Sequence, residues 1–424
     1  MLRFIFIPFI LICFFSFCQV SFNDYFLPKT LRVDFILAGN DHEENIYLLD
    51  LSEEPFYGGS KTNLIDKFDY GEYKFEVFDF ESGNLIYSRG FCTLFEEWQT
   101  TEEAKKTEKS FYEVITFPYP KNKIILKILS RNWNGKFIKL FELEIDPNNY
   151  FIKEEKYAEF KTKKIHDSGN PSVKVDIVLL AEGYTSDEMD KFRKDVTELT
   201  EYFFKAQPFD EYKNKFNIWL IESDSKESGT DIPAKSIWKN TVLNSSFYTF
   251  DMERYISIYD YKTVRDIASL VPYDIIYVIV NTDKYGGGGI YNHYNICTSN
   301  NKYSNNVFVH EFGHGFAGLA DEYYTSSVAY NNFFNLEIEP WQPNITTLVN
   351  FENKWNNMLD KNVPVPTPEL LIYKNIIGVY EGGGYIAKGV YRPFINCRMN
   401  SNTAKGFCPV CKKSIIKMID FYTE

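Results

Sequence analysis

Short apolar runs separated by turn residues dominate the first third of the chain. Leu31 to Leu37, Glu72 to Phe80, Lys123 to Leu129 and Phe137 to Ile145 are rich in β-branched and aromatic side chains, which suit a pleated, half-buried strand. Residues that tolerate tight reversals lie between them, at Ser82-Gly83-Asn84, at Asn132-Trp133-Asn134-Gly135 and over Pro118 to Lys123. The pattern predicts an all-β sandwich over residues 19–155. From Lys153 to Ser172 the chain is lysine-rich, has little periodic apolar content and reads as a linker.

Beyond the linker the rhythm changes. Val173 and Val175 alternate with Lys174 and Asp176 and lead into the continuous apolar run Ile177 to Ala181, suited to a strand buried on both faces. Glu182-Gly183-Tyr184 closes that strand, and a helix follows. Ser186 is placed to cap it, and Met189, Phe192, Val196, Leu199 and Phe203 recur at helical spacing. Phe216 to Glu222 and Asp274 to Val280 read as further buried strands, so residues 165–424 are expected to form an α/β layered domain.

Composition narrows the class without changing this division. At 424 residues the chain exceeds one ordinary domain, and 44% hydrophobic with 25% charged residues is the balance of a folded globular protein. A formal net charge of -12 with no basic stripe argues against nucleic acid as a partner, because such binding relies on clustered Lys and Arg.

The N-terminus bears on compartment. Arg3, the nearly unbroken apolar stretch Phe4 to Phe17, and the small residues Ser16 and Cys18 predict a signal peptide over residues 1–18, with the mature chain starting near Gln19. The stretch is shorter than the roughly 20 residues of a spanning helix. A lipid on Cys18 is the alternative, with bulky Phe17 standing where lipidation sites want a small residue. Both readings export the protein, secreted, periplasmic or at the cell surface, with attachment to the cell envelope as an option.

Residues 307 to 322 carry the chemistry. They contain His310-Glu311-Phe312-Gly313-His314 inside an apolar helix, and residues four apart lie one above the other on a helix face. His310 and His314 can therefore present imidazole nitrogens to one ion, while Glu311 beside them can take a proton from an attacking water and pass it to the leaving amine. Zinc suits a site of histidines and one oxygen ligand, with a fourth position left for water. Gly318 permits the positive φ of a sharp turn, which would return Asp321 as the third ligand; Glu322 is the substitute.

The segment His310 to Tyr323, HEFGHGFAGLADEY, resembles the signature of the M64 peptidases, named for a bacterial immunoglobulin A peptidase. Asp176 to Thr185, Glu227 to Pro233, Tyr285 to Asn292, Pro343 to Thr346 and Gly384 to Cys411 are also similar to that family. The resemblance runs from about residue 110 to the C-terminus, and the preceding strands resemble the family's N-terminal β domain. It implies a zincin, metzincin-like catalytic domain with a methionine turn beneath the zinc, for which Met399 in Cys397-Arg398-Met399-Asn400 is the candidate. One departure stands out: Asp321 lies eleven residues after His310, where the metzincin pattern places its third ligand at ten.

Weaker features remain. Tyr285 to Asn292, with four glycines, reads either as an edge strand that holds an extended peptide or as a flexible loop. Tyr391 reads as a packed core residue or, alternatively, a donor to the oxyanion. Cys92, Cys297, Cys397, Cys408 and Cys411 follow the signal. Cys408-Pro-Val-Cys411 lacks a second Cys or His pair for a structural metal, so a disulfide between Cys397 and one of that pair is expected. His42, His166 and His293 are isolated.

The reading is a two-domain, zinc-dependent endopeptidase acting on protein or glycoprotein substrates, with Zn2+ held by His310, His314 and Asp321 and with Glu311 as the proton shuttle. The alternatives are a non-catalytic adhesin or glycan-binding protein built on the same scaffold and a hydrolase of non-protein amides.

Overall fold

The computed structural model describes residues 20–154, 159–324 and 334–424. The signal peptide over 1–18 and the lipidation alternative at Cys18 lie outside the described residues. Among the described residues no helix is long and apolar enough to cross a membrane.

A short helix, α1 (Phe22–Tyr25), leads into eight strands: β1 (Phe26–Gly39), β2 (Glu44–Glu54), β3 (Tyr73–Asp79), β4 (Leu85–Phe91), β5 (Lys109–Pro120), β6 (Ile124–Arg131), β7 (Phe137–Ile145) and β8 (Lys153–Glu154). Helix α2 (Leu94–Gln99) lies between β4 and β5. The strands form two four-stranded sheets, ordered β5-β1-β2-β8 and β4-β3-β6-β7. Strict alternation in β3 buries Tyr73, Phe75 and Val77 on one face. Phe75 and Tyr87 meet Phe117 of the other sheet with ring centroids 6.1 and 6.4 Å apart. The apolar runs fall on β1, β3, β6 and β7, whereas β2, β4 and β5 show no comparable run; Pro118 to Pro120, expected in a reversal, instead end β5 paired with β1.

The outer face of β1 is covered as well. Leu31, Val33, Phe35 and Leu37 point into the core, while Arg32 on the opposite face bonds Asp34 (2.8 Å) and Asp266 (2.7 Å). Asp266 belongs to α4 (Tyr261–Ala268), so a buried ion cluster fastens the first sheet to the following α/β layer.

That layer is a six-stranded sheet of β9 (Lys161–His166), β10 (Val175–Glu182), β11 (Phe216–Glu222), β14 (Ile275–Val280), β15 (Gly287–Gly289) and β16 (Asn295–Thr298). Its order is β15-β16-β14-β10-β11-β9. The four inner strands are parallel and the outer two antiparallel. Every residue of β10 and β14 is buried, as expected of parallel strands covered on both faces. Two short pairs, β12 (Ser245–Phe247) with β13 (Ile256–Ile258) and β17 (Tyr380–Gly383) with β18 (Ile386–Arg392), complete the strands.

The linker expectation needs correction: Lys161 to His166, inside the stretch read as structureless, is the antiparallel edge strand β9, paired with β11. Its signal is weak because one side faces solvent and the pairing is carried by backbone groups. The helix cap also moves. α3 (Met189–Phe203) buries the five apolar residues expected of it, but the reciprocal cap is made by Thr185 and Glu188, one residue before Ser186. Helix α5 (Ser304–Ala317) packs against β15 and β16 and carries the site, and α6 (Pro409–Thr423) packs against α5 and β10.

Candidate active site

Helix α5 follows β16 directly and lies against β15 and β16. Close packing there is built on small residues: a methyl group on Gly315 would come within 2.1 Å of Asn295 Oδ1, and one on Gly289 within 2.4 Å of the Glu311 carbonyl. The helix ends at Gly318, in the left-handed conformation at φ +61°, whose N–H donates to the His314 carbonyl (3.0 Å). The chain then reverses, and Asp321 returns beside the helix.

The structure brings His310, His314 and Asp321 together. The two Nε2 atoms are 3.0 Å apart, and Asp321 Oδ1 lies 3.1 Å from one and 3.3 Å from the other. His310 Nδ1 lies 2.9 Å from the Arg398 carbonyl and His314 Nδ1 2.6 Å from that of Leu319. Carbonyls only accept, so Nδ1 carries the proton in each neutral ring and Nε2 keeps the lone pair for a cation. Three lone-pair atoms thus converge on one point, and Asp321 Oδ1 is buried with no hydrogen-bond partner. A tetrahedral ion with bonds of about 2.0 to 2.1 Å needs ligand atoms about 3.3 Å apart, so the donor set and its spacing fit zinc.

Electrostatics make the same demand for a cation. Burial disfavours a charged His314, yet Asp321 and Glu311 outweigh it and push the imidazole up to about 9. Burial alone would raise Asp321, but His314 and His310 hold it well below the usual carboxylate range. Glu311 is half-buried; burial raises its carboxyl and the two histidines pull it partly back. The histidine side chains remain 12% and 16% exposed, so the convergence point opens to solvent.

It opens into a cleft of about 410 Å³ that Glu311, β15, Arg254, Tyr323 and Tyr385 line. A side chain on Gly287 would meet Glu311 Oε1 at 2.7 Å, which explains the glycines of the Tyr285 to Asn292 segment. Within that segment Gly287 to Gly289 form the edge strand β15, and Tyr255 already bridges Gly287 on its outer side. The N-terminal part also reaches the cleft, through Glu72 just before β3 and Glu96 and Glu97 on α2.

Several expected roles shift. Glu322, the substitute ligand, is fully buried and points away from the histidines, where Cys411 (3.1 Å) and Asn344 (3.0 Å) donate to it. Tyr391 keeps the packed reading and not the oxyanion one: it packs against the core, pairs through its backbone with Thr346 and does not line the cleft. The tyrosine that bonds the third carboxylate is Tyr385, whose hydroxyl donates to Asp321 Oδ2. It stands in a glycine-rich hairpin, and only that segment's family resemblance pointed to it. Met399 is fully buried, with its sulfur 3.0 Å from where a methyl on Gly313 would stand. The expected disulfide is absent: the five cysteines among the described residues are free thiols. His293, read as isolated, is buried and meets Glu113 at 2.7 Å.

An α/β layer joined to a β-rich part, with paired histidines, a carboxylate and a neighbouring glutamate at an open cleft, is the equipment of a peptidase. The chain belongs to the M64 peptidases: the model of the IgA Peptidase M64 family matches residues 163–375 and 370–419, and that of the Peptidase M64 N-terminus matches residues 21–142. The likeness therefore begins well before the residue near 110 where the motifs become legible. No curated protein matches the chain.

Proposed function

We propose that this peptidase is a zinc-dependent endopeptidase of metzincin-like build, exported through the segment 1–18 and acting on protein or glycoprotein substrates outside the cell. In this reading residues 19–155 form a β-sandwich and residues 165–424 a zincin catalytic domain. The carrying observation is the triangle of His310 Nε2, His314 Nε2 and Asp321 Oδ1, with edges of 3.0 to 3.3 Å, facing a cleft that Glu311 shares.

His310, His314 and Asp321 would hold the ion. The chemistry that bound zinc supplies is a lowered pKa for water and polarisation of the attacked carbonyl. The chain's own residues do the rest. Glu311 takes a proton from the attacking water and delivers it to the departing amine, a role that its burial assists by raising its carboxyl toward neutrality. The Arg398 and Leu319 carbonyls keep both imidazoles in the ligating tautomer. Tyr385 fixes the third ligand, and an open cleft rather than a closed pocket admits a polypeptide.

The test is to purify the mature chain, measure its zinc, and compare casein cleavage with Glu311→Gln. Retained zinc with cleavage reduced at least about a hundredfold supports the proposal. Equal cleavage by both proteins points to a contaminant and returns the scaffold to a binding role.

A further inference from the structure

Beginning at the very next residue after Asp321 lies a second group of ligand-type atoms. Cys397, Cys408, Cys411 and Glu322 are all buried, and one donor atom from each lies within 4.8 Å of every other. The sulfurs of Cys397 and Cys411 are 3.7 Å apart, and Cys411 Sγ is 3.1 Å from Glu322 Oε1. Zinc with sulfur bonds of about 2.3 Å in a tetrahedron sets sulfurs about 3.8 Å apart.

Backbone donors are aimed at two of the sulfurs. The Cys408 N–H donates to Cys397 Sγ (3.2 Å) and the Cys411 N–H to Cys408 Sγ (3.5 Å). Cys408 caps the N-terminus of the 15-residue α6, where the helix dipole stabilises negative charge. Glu322 supplies an independent observation. Its carboxyl is fully buried, and Oε2 has no hydrogen-bond partner. A disulfide would join two of the three sulfurs, strand the third, and leave Glu322 Oε2 unpaired; a divalent cation engages all four groups at once.

We propose that Cys397, Cys408, Cys411 and Glu322 form a second, closed site for a thiophilic divalent ion of the zinc class, separate from the catalytic one. Four protein donors leave no position for water, which marks it as structural. Its place in the chain gives it a task. Asp321 and Glu322 are consecutive, so anchoring Glu322 on one side fixes the direction in which Asp321 faces the histidines on the other. The Glu322 N–H also donates to the Met399 carbonyl (2.8 Å), which ties the exit of α5 to the segment beneath it.

The proposal goes beyond the peptidase reading and does not depend on it. The full chain carrying His310→Ala and His314→Ala is purified with reductant and loaded with cobalt(II). The expected result is a near-ultraviolet thiolate-to-cobalt charge-transfer band and about one zinc ion per chain before exchange, since histidine and carboxylate ligands give no such band. Unaltered protein should hold about two zinc ions, and Cys408→Ser should lose one together with the band. Absence of the band from the histidine double variant, or a disulfide between any two of the three cysteines in protein isolated without reductant, would overturn the proposal. Because the double variant keeps all three thiols, the result does not hinge on a cysteine variant folding.

Discussion

Tyr385 donates its hydroxyl hydrogen to Asp321 Oδ2, the oxygen opposite the one that faces the two histidines. A carboxylate held on its outer oxygen presents the inner one at a fixed angle, and such supports commonly set metal affinity. Tyr385→Phe removes the donor and keeps the ring, which packs 5.4 Å from that of Tyr323. Zinc affinity is expected to fall about 10- to 100-fold with the melting temperature nearly unchanged. Competition with a chromogenic chelator reads the first quantity, and unaltered affinity would remove Tyr385 from the site.

Packing of α5 against the sheet leads to a second expectation. Gly315 lies next to His314 in the chain, and a methyl group there would come within 2.1 Å of Asn295 Oδ1 and 2.7 Å of its Cγ. Asn295 is fully enclosed and has nowhere to retreat. Gly315→Ala should cost about 1 to 3 kcal/mol in urea unfolding and displace His314, so activity falls further than stability alone accounts for. A variant with normal stability would mean that helix and strand are less closely packed than 2.1 Å implies.

How far the sequence disclosed this arrangement depended on whether the signal was local. The HExxH helix, the glycine turn and the buried strands β10, β11 and β14 each carry their information within about ten residues. The strand β9, in Lys161-Thr-Lys-Lys-Ile-His166, was hidden because an edge strand is specified by backbone pairing with β11 and needs no apolar stripe. Adjacent acids posed a different problem. Asp321 and Glu322 are chemically alike, and only the turn geometry sends one to the histidines and the other to cysteines 75 or more residues later in the chain. The grouping around Cys408 and Cys411 has no sequence signature, because such signatures consist of a second Cys or His pair. The structure supplies a lone Cys397 and a carboxylate instead.

Asn344 is a positioning residue of the same kind, unseen until the fold was in hand. Its side chain accepts from the Ala320 N–H (2.7 Å) and donates to the Ala320 carbonyl (2.9 Å) and Glu322 Oε1 (3.0 Å), all buried. Asn344→Ala leaves those groups unpaired at a cost of about 3 kcal/mol. Asn344→Asp keeps the shape and the acceptor for the Ala320 N–H but loses the donor to the Ala320 carbonyl and to Glu322, so it should be destabilised as well. Urea denaturation of the two variants decides the matter: an aspartate as stable as the parent would mean that the Asn344 amide donor contributes nothing to this junction.

The junction between the first sheet and the α/β layer should impose a pH dependence of its own. Glu54 is 1% exposed, receives a hydrogen bond from Tyr273 (3.2 Å) and lies 4.0 Å from Arg32. Burial pushes its carboxyl up to about 7, with Arg32 and Arg265 recovering only part of the penalty. The folded state therefore binds this proton more tightly than the unfolded chain, whose carboxyl titrates near 4.5. Stability from the protonated group is complete below that value and is lost as pH rises through about 7. Glu54→Gln removes the titration while keeping the shape. Between pH 4.5 and 8 the parent should lose on the order of 3 kcal/mol relative to the variant, so that Glu54→Gln melts at the higher temperature at pH 8 but gains nothing at pH 4.5. A constant difference across that range would show that Arg32 keeps Glu54 ionised throughout, and the junction would then be an ion pair at every pH at which the protein is folded.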